Sequence, residues 1–230
     1  MHQETEFGEY IFVEETKYKA ITGVARMTKD EQDVSGDTFS MINLQSGELL
    51  MALSDGMGSG TSALDESKNV IELLEQMSEA GFSQTSAIRL INSLYMSDQE
   101  FESYATLDIS LINLYKGECS FLKNGAVGTY ILNQGKMYCI EGQSLPMGVI
   151  GEAEPYIGKM NIYSGDYIIM MTDGVADMFS DEKYNLEKYI GQIDAVNPGD
   201  MAQAIVDEAV RRNSGYISDD SCRSMGELKR

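Results

Sequence analysis

Residues 48–60 have the sequence ELLMALSDGMGSG, an apolar run that ends at Asp55 and is followed by closely spaced glycines. Together with residues 38–44 and a glycine-containing turn at 45–47, this run predicts a β-hairpin. A glycine directly after an aspartate lets the chain turn sharply and leaves a main-chain carbonyl open to a hard cation. Asp55 is therefore expected at the rim of a sheet, where a carboxylate faces a cleft from a rigid backbone.

Other aspartates have a similar context, at the end of a predicted strand or in the loop beside it. Asp37 stands where the first strand of the hairpin begins, and Asp173 follows the apolar run 167–171. Asp219 follows the last predicted helix. A single Asp-Gly pair is most often only a turn. Three aspartates here lie at strand ends next to glycines. A metal site and a set of simple turns explain this pattern equally well, because spacing alone does not show that the aspartates converge.

Charge and the scarcity of histidine limit the kinds of site. With a net charge of −20 and a pI of about 4.3, the 230-residue chain is expected to repel nucleic acids and anionic membrane surfaces. It has one histidine, His2, and its three cysteines form no C-x-x-C pair. This excludes Ser-His-Asp catalysis, histidine-rich metal sites and a disulfide framework. Carboxylates have to carry any catalysis, and oxygen ligands suit Mg²⁺ or Mn²⁺ rather than Zn²⁺.

The N-terminal residues and the hydropathy pattern bear on location. Residues 1–18 carry many acids and lack the basic and then apolar pattern of a signal peptide. No apolar run is long enough to span a bilayer. A cytoplasmic location is therefore predicted, either for an independent protein or for the cytosolic domain of a larger membrane protein.

Strand hairpins alternate with helices along the chain. Residues 62–80, 83–96 and 198–212 have apolar side chains at helical spacing, and the segments around them alternate as strands do. This order predicts an α+β domain in which helices cover antiparallel sheets. We expect one domain over residues 1–230, with a core at about 18–220, an N-terminal extension at 1–17 and an atypical tail at 221–230.

Several motifs resemble those of the PP2C-like metal-dependent protein phosphatases in order and spacing: Ser35-Gly36-Asp37, Asp55-Gly56-Met57-Gly58-Ser59-Gly60, Thr172-Asp173-Gly174-Val175 and Asp219-Asp220. The resemblance is strongest to the bacterial branch typified by the stage II sporulation protein E phosphatase domain. It covers residues 18–220 and includes three further segments of that branch: Tyr104-Ala105-Thr106-Leu107-Asp108, Leu122-Lys123-Asn124-Gly125-Ala126 and Leu145-Pro146-Met147-Gly148. Within these segments, Tyr104 and Asp108 are expected to support the sheet rather than to take part in chemistry.

The resemblance implies a four-layer α/β/β/α sandwich of two antiparallel sheets flanked by helices, with a two-metal centre between the sheets. Asp55 would bridge both metals, and the carbonyl of Gly56 would complete one of the two sites. Asp37 would bind one metal mostly through water, and Asp173 and Asp219 would hold the other. Among these residues, Asp37, Asp55 and Asp173 are the candidate catalytic residues.

The implied function is that of a serine/threonine phosphoprotein phosphatase. A water activated by two Mn²⁺ or Mg²⁺ ions would hydrolyse a phosphoserine or phosphothreonine on a regulatory protein. The branch points to a phosphorylated anti-sigma-factor antagonist in sporulation as the substrate. The helices predicted at 62–80 and 83–96 match the segment that serves there as a regulatory switch, and the 62–96 helix pair is a candidate homodimer surface.

The C-terminus departs from the family pattern. Residues 221–230 are polar and do not alternate as a strand would. They predict a last sheet strand that is short, displaced or absent, and a weakly braced Asp219. The alternative function is therefore a catalytically impaired PP2C-like domain that binds proteins as a signalling module. A plain acidic binding domain with Asp-Gly turns is a third alternative.

Overall fold

Two five-stranded antiparallel sheets pack face to face in the computed structural model, which describes residues 14–27, 35–57, 61–97, 104–151, 154–179, 186–193, 197–212 and 221–229. The first sheet has five strands in the spatial order β1 (Lys19–Met27), β10 (Ser221–Lys229), β9 (Tyr167–Met171), β6 (Thr129–Asn133) and β7 (Lys136–Ile140). The second has the order β2 (Asp37–Asn43), β3 (Glu48–Asp55), β4 (Leu107–Asn113), β5 (Glu118–Asn124) and β8 (Tyr156–Asn161).

Helices form the two outer layers. On the second sheet lie α1 (Thr61–Glu79) and α2 (Gln84–Ser97). The first sheet is covered by three helices and a 3₁₀ turn: α3 (Asp173–Ala176), the 3₁₀ turn Asp177–Phe179, α4 (Leu186–Ile190) and α5 (Pro198–Arg212). The α+β sandwich with two antiparallel sheets and flanking helices is thereby confirmed.

The central layer of the sandwich is an apolar core between the sheets. Strand β3 contributes Leu49, Met51 and Leu53 to it, while Leu50 and Ala52 point the other way, toward the helices. Successive side chains of a strand face opposite sides, so a strand covered on both faces is apolar throughout. The run at 48–55 that predicted a strand therefore forms a strand with both faces buried.

The helical stripes were mostly predicted correctly. Helix α2 packs Ala87, Ile88 and Ile91 against the sheet, as their spacing indicates. Leu94 has the spacing of the same stripe, but it is 50% exposed. It lines a groove between α2 and α1 together with Leu73 of α1.

No helix in the described part of the chain is both long and apolar enough to cross a membrane.

The expectation of a short, displaced or absent last strand was wrong. Strand β10 pairs along its length with β1 and also with β9, inside the first sheet. Its Gly226 is buried, and a Cβ added there would lie 2.8 Å from the sulfur of Met51 in the other sheet. The opposite sheet fills that space, so a strand can lie here without supplying a large apolar side chain. This strand forms because its main chain pairs with a neighbour on each side, and a strand pattern in its own sequence is not needed.

Candidate metal centre

The open end of the β2–β3 hairpin places two carboxylates on one rung. Asp37 and Asp55 are partners in the register of the antiparallel pair, and Asp37 is buried. Directly opposed residues have Cβ atoms about 4.5–5.5 Å apart, and like charges at that separation destabilise the pair. A cation beside the rung would offset this repulsion.

Asp37 is held from several directions. Its Oδ2 accepts a hydrogen bond of 3.1 Å from Thr172 Oγ1, which belongs to the other sheet's side of the cleft. Its main-chain N–H donates to Ser35 Oγ at 3.2 Å, and the guanidinium of Arg26 donates to its main-chain carbonyl. The Thr172 bond fixes the orientation of the Asp37 carboxylate and ties the two sheets together at this end.

The main chain around Asp55 is fixed by its neighbours in the sheet. The Asp55 N–H donates to Thr106 Oγ1 at 3.1 Å, and its carbonyl accepts from the Thr106 N–H at 2.9 Å. The next residue, Gly56, is buried, and a Cβ added to it would lie 1.9 Å from the carbonyl oxygen of Ala63 in the first turn of α1. Glycine is therefore required by the close approach of α1, and the position of that helix is linked to the Gly56 main chain.

Asp173 lies at the end of the first sheet, on the other side of the cleft from Asp55. It is the first residue of α3 and is separated by Thr172 from β9, whose residues Ile168 to Met171 are all buried. The carbonyl of Thr172 accepts the N–H groups of Val175 and Ala176, both at 3.2 Å. The strand thus ends in a tight turn that leaves the Asp173 side chain exposed at the cleft.

A cleft between the sheets, with about 280 Å³ of empty space including its mouth, brings these elements together. Its wall contains three carboxylates, two threonines and several small or apolar residues: Asp55, Asp108, Asp173, Thr106, Thr172, Leu53, Gly125, Ala126, Val127 and Met171. Asp55 and Asp173 therefore meet at one cleft, and Asp37 joins it through Thr172.

The described residues contain no group of three or more histidine, cysteine, aspartate or glutamate side chains that could hold a metal ion. Asp219 was predicted as a ligand and lies outside the described residues. An ion bound in this cleft would therefore use carboxylates together with main-chain oxygen and water. Mg²⁺ is typically bound in this way, with one or two carboxylates and several retained waters.

Asp108 was expected to support the sheet, and its bond to the equally buried Lys123 does link β4 to β5. Its position in the wall of the cleft was not predicted. The signal that could have found it is a charged residue beside apolar ones in each of two neighbouring strands, an acid in 107–113 and a base in 118–124.

Comparison with known proteins identifies relatives. Residues 45–225 match the family model of stage II sporulation protein E. Two curated relatives have that name: one from Priestia megaterium is 36% identical over 215 residues, and one from Bacillus subtilis (strain 168) is 33% identical over 206 residues. These matches cover 92% and 88% of this chain but only 37% and 25% of the relatives, so the chain spans well under half of their length.

Solved structures match the whole sandwich. The PP2C phosphatase domain with a fragment of the regulatory domain of SpoIIE from Bacillus subtilis has a TM-score of 0.86 and 31% identity, covering 94% of this chain and 65% of that one. The catalytic domain of the serine/threonine protein phosphatase PstP, in complex with two manganese ions, has a TM-score of 0.74 at 18% identity. That match covers 93% of this chain and 100% of the other, and shows a shared fold.

Proposed function

The chain belongs to the stage II sporulation protein E family and has the fold of its PP2C phosphatase domain, and from this premise we propose that it hydrolyses phosphoserine or phosphothreonine in a protein substrate. The observation that carries the proposal is the convergence of carboxylates from both sheets. The Asp37–Asp55 rung comes from the second sheet, and Asp173 reaches the same cleft from the first.

The donor set of the cleft fits Mg²⁺ or Mn²⁺. Asp55 would contact two ions, the carbonyl of Gly56 and Asp37 would complete one site, and Asp173 would hold the other. Asp219 stays a predicted ligand of the second site. All of these donors are oxygens, which hard cations prefer. Bound ions would lower the pKa of water and neutralise charge on the phosphoryl oxygens.

The chain's own residues prepare this cleft. Thr172 orients the carboxylate of Asp37, while strand pairing with Thr106 and packing against α1 fix the main chain from Asp55 to Gly56. The guanidinium of Arg26 donates to the Asp37 carbonyl. We include in the proposal that Arg26 also attracts the anionic phosphoryl group to this end of the hairpin, because a guanidinium presents five donors.

We also propose a substrate, a dimer surface and a location for this chain. Family membership supports a phosphorylated anti-sigma-factor antagonist as the substrate, and the charge of −20 disfavours nucleic acid and direct membrane contact. The helix pair α1–α2 is the proposed homodimer surface, since Leu90 and Leu94 are 44% and 50% exposed on it. We place the chain in the cytoplasm, as a free domain or as part of a larger membrane protein.

The test is hydrolysis of p-nitrophenyl phosphate and of a phosphoserine protein, with Mn²⁺, with Mg²⁺ and after exhaustive chelation by EDTA. Release of phosphate should require an added divalent cation and stop with EDTA. Full activity after chelation would overturn the metal-dependent mechanism. No hydrolysis of either substrate at saturating Mn²⁺ would overturn the proposed activity itself.

The alternative of a catalytically impaired domain that binds proteins no longer has the observation that favoured it. That observation was the expected absence of a last strand, and β10 occupies its place in the sheet.

A further inference from the structure

A buried ion pair lies behind the cleft. The side chain of Lys123 is 0% exposed and that of Asp108 is 2% exposed, and their Nζ and Oδ2 atoms are 2.7 Å apart. Lys123 Nζ also donates to Thr129 Oγ1 at 2.8 Å and to the carbonyl of Val127 at 2.6 Å. An ammonium group has three hydrogens to donate, so Lys123 is fully used by these three acceptors.

This group of residues joins the two sheets. Asp108 and Lys123 are register partners on β4 and β5 of the second sheet, whereas Thr129 begins β6 of the first. Thr129 Oγ1 donates to Asp108 Oδ2 at 2.6 Å, so the carboxylate is bonded from both sheets through the same oxygen. The position of Asp108 in the cleft wall is therefore set by both sheets at once.

The other carboxylate oxygen has a different environment. Asp108 Oδ1 is buried and has no hydrogen-bond partner in the described part of the chain. An unsatisfied buried carboxylate oxygen is costly, and such an atom commonly marks an ordered water or ion. Asp108 lines the cleft that also contains Asp55 and Asp173, so water in that cleft is the donor that we consider for Oδ1.

We propose that Asp108 is a positioning residue of the site, whose Oδ1 accepts a hydrogen bond from a water in the cation cleft while Lys123 and Thr129 fix its Oδ2. The inference rests on the proposed phosphatase function and adds a residue to it. The donor is a water of the cation's hydration shell, which the Asp55 and Asp173 side of the cleft would share.

Because Lys123 is bonded to Asp108, a water molecule is a better partner for Asp108 Oδ1 than a metal cation. Its ammonium compensates the charge of Asp108, so the pair adds an acceptor to the cleft without adding net negative charge. A compensated carboxylate attracts a cation less than a carboxylate without a counter-ion does, but it still accepts a hydrogen bond from a polarised water. The partners of metal-bound groups are worth about 10- to 100-fold in metal affinity or activity when they are removed.

The role of Asp108 is best tested by a double variant that replaces Asp108 and Lys123 at the same time. Asp108→Ala alone leaves Lys123 buried without its counter-ion and is expected to unfold the protein. Replacing both members by apolar residues of similar volume, as in Asp108→Leu with Lys123→Met, is often tolerated. Asp166→Asn is the matched control: Asp166 is also buried and accepts three hydrogen bonds, but it precedes β9 at the end opposite Asp173.

Two readouts separate positioning from a merely structural role. Turnover should fall by about 10- to 100-fold in the double variant, with less than a tenfold loss of Mn²⁺ affinity measured by electron paramagnetic resonance. The residence time of water on bound Mn²⁺, measured by oxygen-17 relaxation, should shorten. Asp166→Asn should lower the melting temperature without changing either readout.

Unchanged turnover and water residence in the folded double variant would overturn the inference. So would a collapse of Mn²⁺ affinity, because Asp108 would then be a direct ligand, and so would equal losses in Asp166→Asn. If the wild type binds Mn²⁺ but hydrolyses nothing, the proposed function fails, while a changed water residence time in the double variant still supports the role of Asp108.

Discussion

The two halves of the cleft are built differently. The Asp55 half, formed by Asp37, Asp55 and Gly56, is a hairpin end fixed by neighbouring strands and by the first turn of α1. The Asp173 half, formed by Thr172 and Asp173, is the end of a central strand that depends on β10 and β6 for its place. Disturbance of α1 should therefore act on the first half, and disturbance of α5 or β10 on the second.

The largest effect is expected in the Asp55 half. Asp55→Asn keeps the shape of the side chain but removes the charge that would hold the cations. Turnover should fall by at least about 1000-fold, because the loss of metal removes several kcal/mol of transition-state stabilisation. Without metal, the melting temperature should stay the same or rise, since the repulsion on the Asp37–Asp55 rung is relieved. Near wild-type turnover at saturating Mn²⁺ would contradict the assignment.

Gly56→Ala tests the link between this half and α1. The added methyl group would lie 1.9 Å from the Ala63 carbonyl, so the helix or the Gly56 main chain has to move. A displacement of about 1 Å in a catalytic arrangement costs about 100-fold in rate, and a loss of that size is expected here. Gly151→Ala is the matched control, because a Cβ there meets nothing within 4 Å. Equal turnover of the two variants would show that α1 does not affect the site.

The Asp173 half should respond more weakly, through α5. The guanidinium of Arg212 lies 4.1 Å from the centre of the Phe179 ring and donates to the Met178 carbonyl, just after α3. Arg212→Met should raise the Mn²⁺ concentration for half-maximal turnover by up to about 10-fold, since it loosens the segment behind Asp173. Arg211→Met is the control, with its side chain 72% exposed against 14% for Arg212. If both variants behave alike in Mn²⁺ titrations, α5 does not brace this half.

The smallest effect concerns the stability of α5 in acid. Hydrogen bonding from Arg211, aided by Arg212 and opposed by burial, lowers the pKa of Glu208 to about 2. Because the folded pKa is below the unfolded value of about 4.3, the charged form stabilises the protein above that value. This contribution is lost as the pH falls toward 2. The difference in melting temperature between wild type and Glu208→Gln should narrow from about pH 5 to about pH 2. A pH-independent difference would contradict this.

The Asp55 half could be predicted from the sequence because its causes are local. An apolar run, a turn at Gly47 and an Asp-Gly pair lie within a few residues of one another and specify a hairpin that ends in a carboxylate. The same holds for the stripes of α2 and α5, whose periodicity is visible within one segment.

The Asp173 half could be predicted only in part, because its support is non-local. Strand β10 lacks a strand pattern of its own and depends on pairing with β1 and β9, which are about 200 and 50 residues away along the chain. The place of Asp108 in the cleft wall was not predicted for the same reason: its partners Lys123 and Thr129 lie on other strands, and this place is evident only after both sheets have formed.

We propose that the cleft between the two sheets holds divalent cations between Asp55 and Asp173. Anomalous X-ray scattering from crystals of the wild-type chain grown with Mn²⁺ tests this most directly, with Asp55→Asn crystals as the reference. We expect anomalous peaks in the cleft within ligand distance of the Asp55 carboxylate, and their loss in the variant. Peaks elsewhere on the acidic surface, or none in the cleft at saturating Mn²⁺, would contradict it.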